Sequence, residues 1–142
     1  MDPQKNPNAS ILIVDDEQGV RESLRMILKY SYRVYLAQSG EEAIKFIREN
    51  RTDLILLDLS MPGLSGLDTL REIRKISEDI DVIIVTAYGT IANAQEAIAC
   101  RVADFITKPF DVAEVLYVVN RIIKKRGEIL RTQAIFDKIR NL

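Results

Sequence analysis

The sequence predicts an α/β fold, in which a doubly wound parallel sheet of five strands, in the order 2-1-3-4-5, carries helices on both faces and is followed by an extended C-terminal helix. Short aliphatic or β-branched runs alternate five times with segments whose apolar residues have helical spacing. The runs are apolar on both faces, as in parallel sheets that helices cover on both sides. Right-handed crossovers between such strands distribute the helices over the two faces.

The five predicted strands are Ser10–Asp15, Tyr32–Ala37, Asp53–Asp58, Asp81–Thr86 and Ala103–Thr107. The segments between them have apolar residues three or four positions apart, which is typical of amphipathic helices. Three helix starts are marked by side chains that can accept a hydrogen bond from a free backbone N–H, each followed three residues later by an acidic residue: Ser39, Ser65 and Asp111.

The chain is expected to form one domain with two appended segments. Residues 1–9, which are rich in Pro and Asn, are predicted to be a disordered lead-in. Residues 10–126 contain all five strands and are large enough to bury a core, whereas a second full domain would not fit in 142 residues. Residues 127–142 are predicted to be a helical extension or linker that supports dimerisation.

Composition excludes several classes of function. The formal net charge of -1 gives no general attraction to nucleic acid or to an acidic membrane, and no run of residues approaches membrane-spanning length. The absence of histidine excludes His-based triads and His-ligated zinc. A single cysteine, Cys100, and an N-terminus without a signal-peptide pattern lead us to expect a cytoplasmic protein without membrane or direct nucleic-acid contacts.

The polar residues with chemical potential follow the predicted strands at one end. Asp15 and Asp16 come at the end of the first strand, Asp58 ends the third, Thr86 ends the fourth and Lys108 follows the fifth. In parallel sheets the carboxyl ends of the strands meet at one edge, and ligands bind beyond that edge. We therefore expect these five side chains to form one site.

The chemistry of this set is that of phosphoryl transfer. Clustered carboxylates repel one another, and a bound hard cation relieves that repulsion; Mg²⁺ prefers oxygen ligands of this kind together with phosphoryl oxygens. Lys108 supplies a compact positive charge and Thr86 a hydroxyl donor, both suited to phosphoryl oxygens. A carboxylate serves as the nucleophile in such reactions, which depend mainly on positioning and charge neutralisation.

Four segments resemble the signature blocks of response-regulator receiver domains, the CheY-like family, and are most similar to the receivers of NtrC-type regulators. They are Val14-Asp15-Asp16-Glu17, Leu57-Asp58-Leu59-Ser60-Met61-Pro62-Gly63, Val85-Thr86-Ala87-Tyr88 and Phe105-Ile106-Thr107-Lys108-Pro109-Phe110. The resemblance extends from about residue 10 to about residue 125.

The resemblance implies a role for each matching residue. Asp58 would be the phosphoacceptor, assisted by Lys108 and Thr86, and Mg²⁺ would be held by Asp15, Asp16, Asp58 and the backbone carbonyl of Ser60. It further implies that Thr86 and Phe105 form a switch pair and that the peptide between Lys108 and Pro109 is cis. Such a domain is a switch rather than an enzyme.

The family also implies partners. A histidine kinase would donate the phosphoryl group from a phosphohistidine, and phosphorylation would change the surface formed by the fourth helix, the fifth strand and the fifth helix to control an output domain or a downstream protein. One departure from the family pattern lies just before the fifth strand, where Arg101 and Val102 replace a frequent Gly-Ala pair. If that turn needs a positive φ, a residue other than glycine costs roughly 1 kcal/mol.

The C-terminal segment carries an apolar repeat of seven residues, interrupted by Lys125 and Thr132 and weakened by Gly127. We predict that it forms the seam of a parallel homodimer through an extended fifth helix; a dimer through the fourth helix, fifth strand and fifth helix is the alternative. The predicted seam residues are Val115, Val118, Ile122, Ile129, Phe136 and Ile139.

Two other functions use part of the same set of residues. A magnesium-dependent phosphatase or phosphotransferase would also form an aspartyl-phosphate, but dehalogenase-like enzymes usually carry a second Asp two residues after the nucleophile, where this chain has Ser60. A flavodoxin-like module that binds a cofactor shares the predicted strand order. That second alternative leaves the acidic cluster unexplained.

Overall fold

A computed structural model describes residues 8–87 and 94–142 of the chain. Five parallel strands form one sheet in the order β2-β1-β3-β4-β5, which confirms the predicted order. The strands are β1 (Ser10–Val14), β2 (Arg33–Ala37), β3 (Leu54–Leu57), β4 (Asp81–Ala87) and β5 (Asp104–Lys108). Each begins and ends within one residue of its predicted position.

Helices connect the strands and follow the last one. They are α1 (Gln18–Leu28), α2 (Gly40–Glu49), α3 (Gly66–Ile76), α4 (Ala94–Ala99) and α5 (Val112–Arg140). The three predicted helix starts are confirmed, because the side chains of Ser39, Ser65 and Asp111 each accept the N–H three residues ahead and so satisfy a backbone donor that the helix leaves free.

The two faces of the sheet bury separate apolar clusters, since alternate residues of a strand point to opposite sides. On one face, residues such as Ile13 and Leu56 pack against α1 and α5. On the other, residues such as Leu12 and Ile55 pack against α2, α3 and α4. The prediction of helices on both faces is therefore confirmed. No helix within the described ranges combines the length and apolar character needed to cross a bilayer.

The register of the sheet aligns the ends of β1 and β3, and β4 extends beyond them to Ala87. Val14 of β1 pairs with Leu57 of β3, and Leu57 pairs with Ile84 of β4. Ala87 pairs with Lys108 at the end of β5. Residues that follow β1 and β3 therefore emerge side by side, next to the ends of β4 and β5.

The predicted lead-in is too long at its C-terminal end. Residues 1–7 lie outside the described residues, but Ala9 is buried in the cluster beneath α1 and α5, and its carbonyl accepts the N–H of Arg33 at 3.0 Å. The ordered domain thus begins before residue 10, because Ala9 closes the amino end of the sheet.

The predicted dimer seam is wrong for the first half of α5. Val115, Val118 and Ile122 are buried in the core of their own domain, packed with the sheet and α1, and are not available to a second copy. The remaining seam residues are exposed: Ile129, Phe136 and Ile139. The helix itself is continuous from Val112 to Arg140. At the predicted boundary between the domain and its C-terminal extension, residues 126–127, the burial of the side chains therefore changes but the secondary structure does not.

Candidate phosphoryl-transfer site

Asp58 follows β3 and lies at the centre of the candidate site. Its backbone N–H donates to the carbonyl of Val14 at 3.0 Å, which fixes it against the end of β1. Its carboxylate is only 3% exposed, and Oδ1 accepts two hydrogen bonds, from the N–H of Ser60 at 3.0 Å and from the hydroxyl of Thr86 at 2.9 Å. A buried carboxylate requires such partners.

Lys108, the last residue of β5, bridges two buried carboxylates. Its Nζ lies 2.7 Å from Oδ2 of Asp15 and 3.3 Å from Oδ2 of Asp58, and 3.9 Å from a carboxylate oxygen of Glu17. Burial by itself would lower the pKa of the Lys108 ammonium, but the hydrogen bonds and charges of Asp15 and Asp58 outweigh burial and raise that pKa. Lys108 is therefore a fixed positive charge at this edge.

Four carboxylates meet beside Lys108. Asp15, Asp16, Glu17 and Asp58 each offer an oxygen, and these oxygens all lie within 4.8 Å of one another. Asp15 and Asp58 are buried, whereas Asp16 and Glu17 are exposed. Burial raises the pKa of the Asp15 carboxyl, an effect that the hydrogen bonds from Lys108 and from the Glu17 N–H only partly oppose.

The donor set fits a small hard cation. Carboxylate oxygens are the ligands that Mg²⁺ prefers, and the exposed side of the cluster leaves room for the waters that this ion retains. Asp15, Asp16 and Asp58 are the residues that would hold it. Ser60 is placed by its own N–H, which donates to Asp58, so its backbone lies beside the same carboxylate.

Close packing fixes the loop between Asp58 and α3. A Cβ added to Gly66 would lie 2.2 Å from the carbonyl oxygen of Asp58 and 2.3 Å from the Cα of Leu59, so only glycine fits there. The N–H of Gly66 donates to the carbonyl of Leu59 at 3.2 Å. On the outer side of the loop, the carboxylate of Glu41 in α2 accepts the N–H of Leu64 at 3.1 Å. The backbone around Asp58 is thus held from two helices.

The two residues predicted as a switch pair occupy adjacent strands. Thr86 of β4 is buried and donates to Asp58, whereas Phe105 of β5 is half-buried and packs against the cluster beneath α2, α3 and α4. The cis peptide between Lys108 and Pro109 is confirmed. Tyr88, the last residue of its signature segment, lies outside the described residues.

The turn before β5, where Arg101 and Val102 replace the frequent Gly-Ala pair of the family, is held by contacts from α3. Arg101 adopts a φ of 61°, the left-handed conformation in which glycine is favoured. Its carbonyl accepts a hydrogen bond from the guanidinium of Arg74 in α3 at 2.9 Å, and the same guanidinium binds the carbonyl of Cys100 at 2.7 Å. Arg74 therefore supports the turn that the missing glycine would otherwise make easily.

Sequence reasoning missed two residues at this edge. Glu17 joins the acidic cluster, and its position directly after Asp15 and Asp16 was the available signal. Arg21 in the first turns of α1 donates to the backbone carbonyl of Asp15 at 2.7 Å. No sequence pattern indicates that contact, because any residue supplies a carbonyl.

Comparison with known proteins finds a matching family model and individual relatives. A family model described as the response regulator receiver domain matches residues 11–120. The response regulator MprA of Mycobacterium sp. (strain KMS) is 36% identical over 116 residues, which cover 81% of this chain and 50% of MprA. Sporulation initiation phosphotransferase F of Bacillus subtilis (strain 168) is 37% identical over 115 residues, which cover 80% of this chain and 93% of that protein.

Among solved structures, NtrX from Brucella abortus superimposes with a TM-score of 0.83 at 29% identity, covering 89% of this chain and 29% of that one. The chain therefore spans about half the length of MprA and less than a third of NtrX. It spans nearly all of the sporulation phosphotransferase.

Proposed function

The chain belongs to the response regulator receiver domain family of two-component signalling systems, and we propose that Asp58 is its phosphoacceptor. The observation that carries the proposal is the bridging of Asp15 and Asp58 by the Lys108 ammonium within a cluster of four carboxylates. This combination of a buried nucleophile, a fixed positive charge and an oxygen-rich cation pocket is what phosphoryl transfer requires.

In the proposed reaction a phosphohistidine of a histidine kinase is the donor. A carboxylate oxygen of Asp58 attacks phosphorus, the P–O bond forms as the P–N bond breaks, and the electron pair of that bond returns to the imidazole nitrogen. Mg²⁺, when bound, neutralises negative charge on the carboxylates and the phosphoryl oxygens. Asp15, Asp16 and the carbonyl of Ser60 are its proposed ligands beside Asp58.

Two residues of the site would change partners on phosphorylation. Lys108 and Thr86 now contact the carboxylate of Asp58, and each has a donor that suits a phosphoryl oxygen. We expect Thr86 to follow the new oxygens and Phe105 to turn inward beside it, which would alter the surface of α4, β5 and α5. The half-buried position of Phe105 on the neighbouring strand supports this pairing.

The test is labelling by acetyl phosphate with and without Mg²⁺, followed by intact-mass measurement. We expect one phosphoryl group per chain that requires Mg²⁺ and disappears in Asp58→Asn. Asp53→Asn is the matched control, since Asp53 is equally buried but precedes β3 at the opposite edge of the sheet, and a circular dichroism spectrum checks its fold. Labelling that survives Asp58→Asn would contradict the assignment.

A turnover assay with small phosphate esters, which measures released inorganic phosphate, separates a switch from an enzyme. A receiver is labelled once and loses the label slowly, whereas a magnesium-dependent phosphatase that forms an aspartyl-phosphate would release inorganic phosphate continuously from small phosphate esters. We propose the switch.

The output is a further proposal, because this chain covers only half of MprA but most of the sporulation phosphotransferase. We propose that phosphorylation acts on an output domain or on a separate downstream protein, with the histidine kinase as the upstream partner. The surface of α4, β5 and α5 is the proposed contact, since it adjoins both Thr86 and Lys108.

We also propose that the exposed end of α5 supports a parallel homodimer. Ile129, Phe136 and Ile139 recur on one side of the helix, and each has more than half of its surface exposed. Sedimentation of the full chain, of a chain ending at Arg126 and of Phe136→Glu tests the proposal. We expect the last two to sediment as monomers, and a full-length monomer would contradict it.

A further inference from the structure

Asp15 is held by contacts from four parts of the fold. Its backbone N–H donates to the carbonyl of Ala37 in β2 at 3.2 Å, and its carboxylate accepts from the N–H of Glu17 at 2.9 Å and from Lys108 at 2.7 Å. Its backbone carbonyl accepts from Nη1 of Arg21 at 2.7 Å. The first three contacts come from the sheet and from the loop itself, so Arg21 supplies the tie to α1.

Arg21 binds a backbone carbonyl although three acidic residues lie close to it in the sequence. Asp15, Asp16 and Glu17 all lie within six residues of it, and guanidinium groups normally pair with carboxylates. Within the described part of the chain, however, no carboxylate lies at ion-pair distance from Arg21, whose guanidinium is half-buried against a backbone carbonyl. Arg21 therefore contacts the backbone of the loop and not its carboxylates.

The loop between β1 and α1 needs such a contact, because it carries three consecutive acidic residues that face Asp58 across the cluster. Carboxylates at this spacing repel one another, and without a contact that fixes its backbone the loop would move so that they separate. A cation site requires the opposite, since its oxygens must already converge.

We propose that Arg21 is a positioning residue for the cation site: its bond to the Asp15 carbonyl holds the loop so that the carboxylates of Asp15 and Asp16 converge. The inference rests on the proposed function, because it concerns the affinity of the same pocket for Mg²⁺. Arg21 itself touches neither the cation nor the phosphoryl group.

Charge and positioning make opposite predictions for Arg21→Gln. Removing a positive charge near the pocket would by itself strengthen Mg²⁺ binding. Loss of the bond to the loop would weaken binding, by about 3- to 10-fold if it is worth as much as an ordinary hydrogen bond to a buried acceptor. Glutamine is too short to reach the Asp15 carbonyl in place of the guanidinium, whereas Arg21→Lys keeps both the charge and a donor of nearly the same reach.

Arg25→Gln is the matched control. Arg25 lies one turn further along α1, is also half-buried, and pairs with Glu22 at 3.0 Å on the helix surface. Its substitution removes the same formal charge from the same helix but leaves the loop untouched. A purely electrostatic effect of α1 on the pocket would therefore move both glutamine variants in the same direction.

The experiment is calorimetric titration of the unphosphorylated full chain with Mg²⁺, with amide hydrogen exchange measured without the ion. We expect Arg21→Gln to bind about 3- to 10-fold more weakly, Arg21→Lys and Arg25→Gln to stay within about twofold of the natural chain, and exchange at Glu17 to accelerate only in Arg21→Gln. Equal or tighter binding by Arg21→Gln would overturn the inference while leaving the proposed function intact. Absence of Mg²⁺ binding by the natural chain would overturn both.

Discussion

Substitution of Gly66 by alanine should destabilise the fold at the point where α3 meets the phosphoacceptor loop. The added methyl group would lie 2.2 Å from the carbonyl oxygen of Asp58 and 2.3 Å from the Cα of Leu59. Ordinary van der Waals contact requires about 3.5 Å, so the backbone must move by about 1 Å. Neither neighbour is a flexible side chain that could turn away.

The expected cost follows from that displacement. Overpacking of a well-packed site costs about 1–3 kcal/mol, and the clash with two backbone atoms places Gly66→Ala in the upper half of that range. For a chain of this size we expect the melting temperature to fall by about 5–10 °C. Because the displaced carbonyl belongs to Asp58 itself, Mg²⁺-dependent labelling should also decrease.

Gly127→Ala is the matched control for this change. Gly127 lies inside α5, and an added Cβ would point into open space beyond the helix's own backbone, so alanine should stabilise the helix by about 0.5–1 kcal/mol. Urea unfolding of the two variants, followed by circular dichroism, should therefore give midpoints displaced in opposite directions. An unchanged midpoint for Gly66→Ala would refute the argument that contact with the Asp58 backbone excludes a side chain.

Three further substitutions test other contacts. Lys108→Met should lower the free energy of unfolding by about 2–4 kcal/mol near neutral pH, because it leaves two buried carboxylates without their positively charged partner; in urea titrations the loss should shrink as the pH falls and the Asp15 carboxyl, whose pKa is raised by burial, gains a proton. Burial raises the pKa of the Tyr32 hydroxyl to about 12, so the stability that this group contributes is complete below pH 10 and is lost as the pH rises through about 12. Absorbance titration of Tyr32→Phe should lack that late ionisation. Arg101→Gly should raise the melting point, since relief of the positive φ is worth about 1 kcal/mol and the exposed pair with Glu78 contributes little. An unchanged or lower melting point would show that the turn carries no such strain.

The fold could be predicted because its signals are local. The side chains of Ser39, Ser65 and Asp111 cap helices through contacts three residues away, and the aliphatic runs define strands without knowledge of their neighbours. The convergence of Asp58 and Lys108 followed from one geometric rule about the edge of a parallel sheet.

Predictions failed where the outcome depended on a choice between equivalent surfaces. The first turns of α5 carry apolar residues on two adjacent sides, and the sequence does not indicate which side meets the core. The structure buries both, because Val119 and Ile123 are buried together with the predicted seam residues Val115, Val118 and Ile122. Arg21 was missed for a different reason, since its partner is a backbone carbonyl brought near only by the folded loop.

Because α5 is long, a small movement at the sheet would displace the far end of this helix. The helix begins four residues after Lys108 and continues to Arg140, and its last buried residue is Ile123. Arg126 still contacts Asp53 and Asp81 of the domain. At 1.5 Å per residue, the part of the helix beyond Arg126 is about 20 Å long, so a tilt of about 5° at its base would displace its tip by about 2 Å. In two chains joined along the exposed sides of α5, a rearrangement beside β5 would therefore change the distance between the C-terminal ends of the two helices.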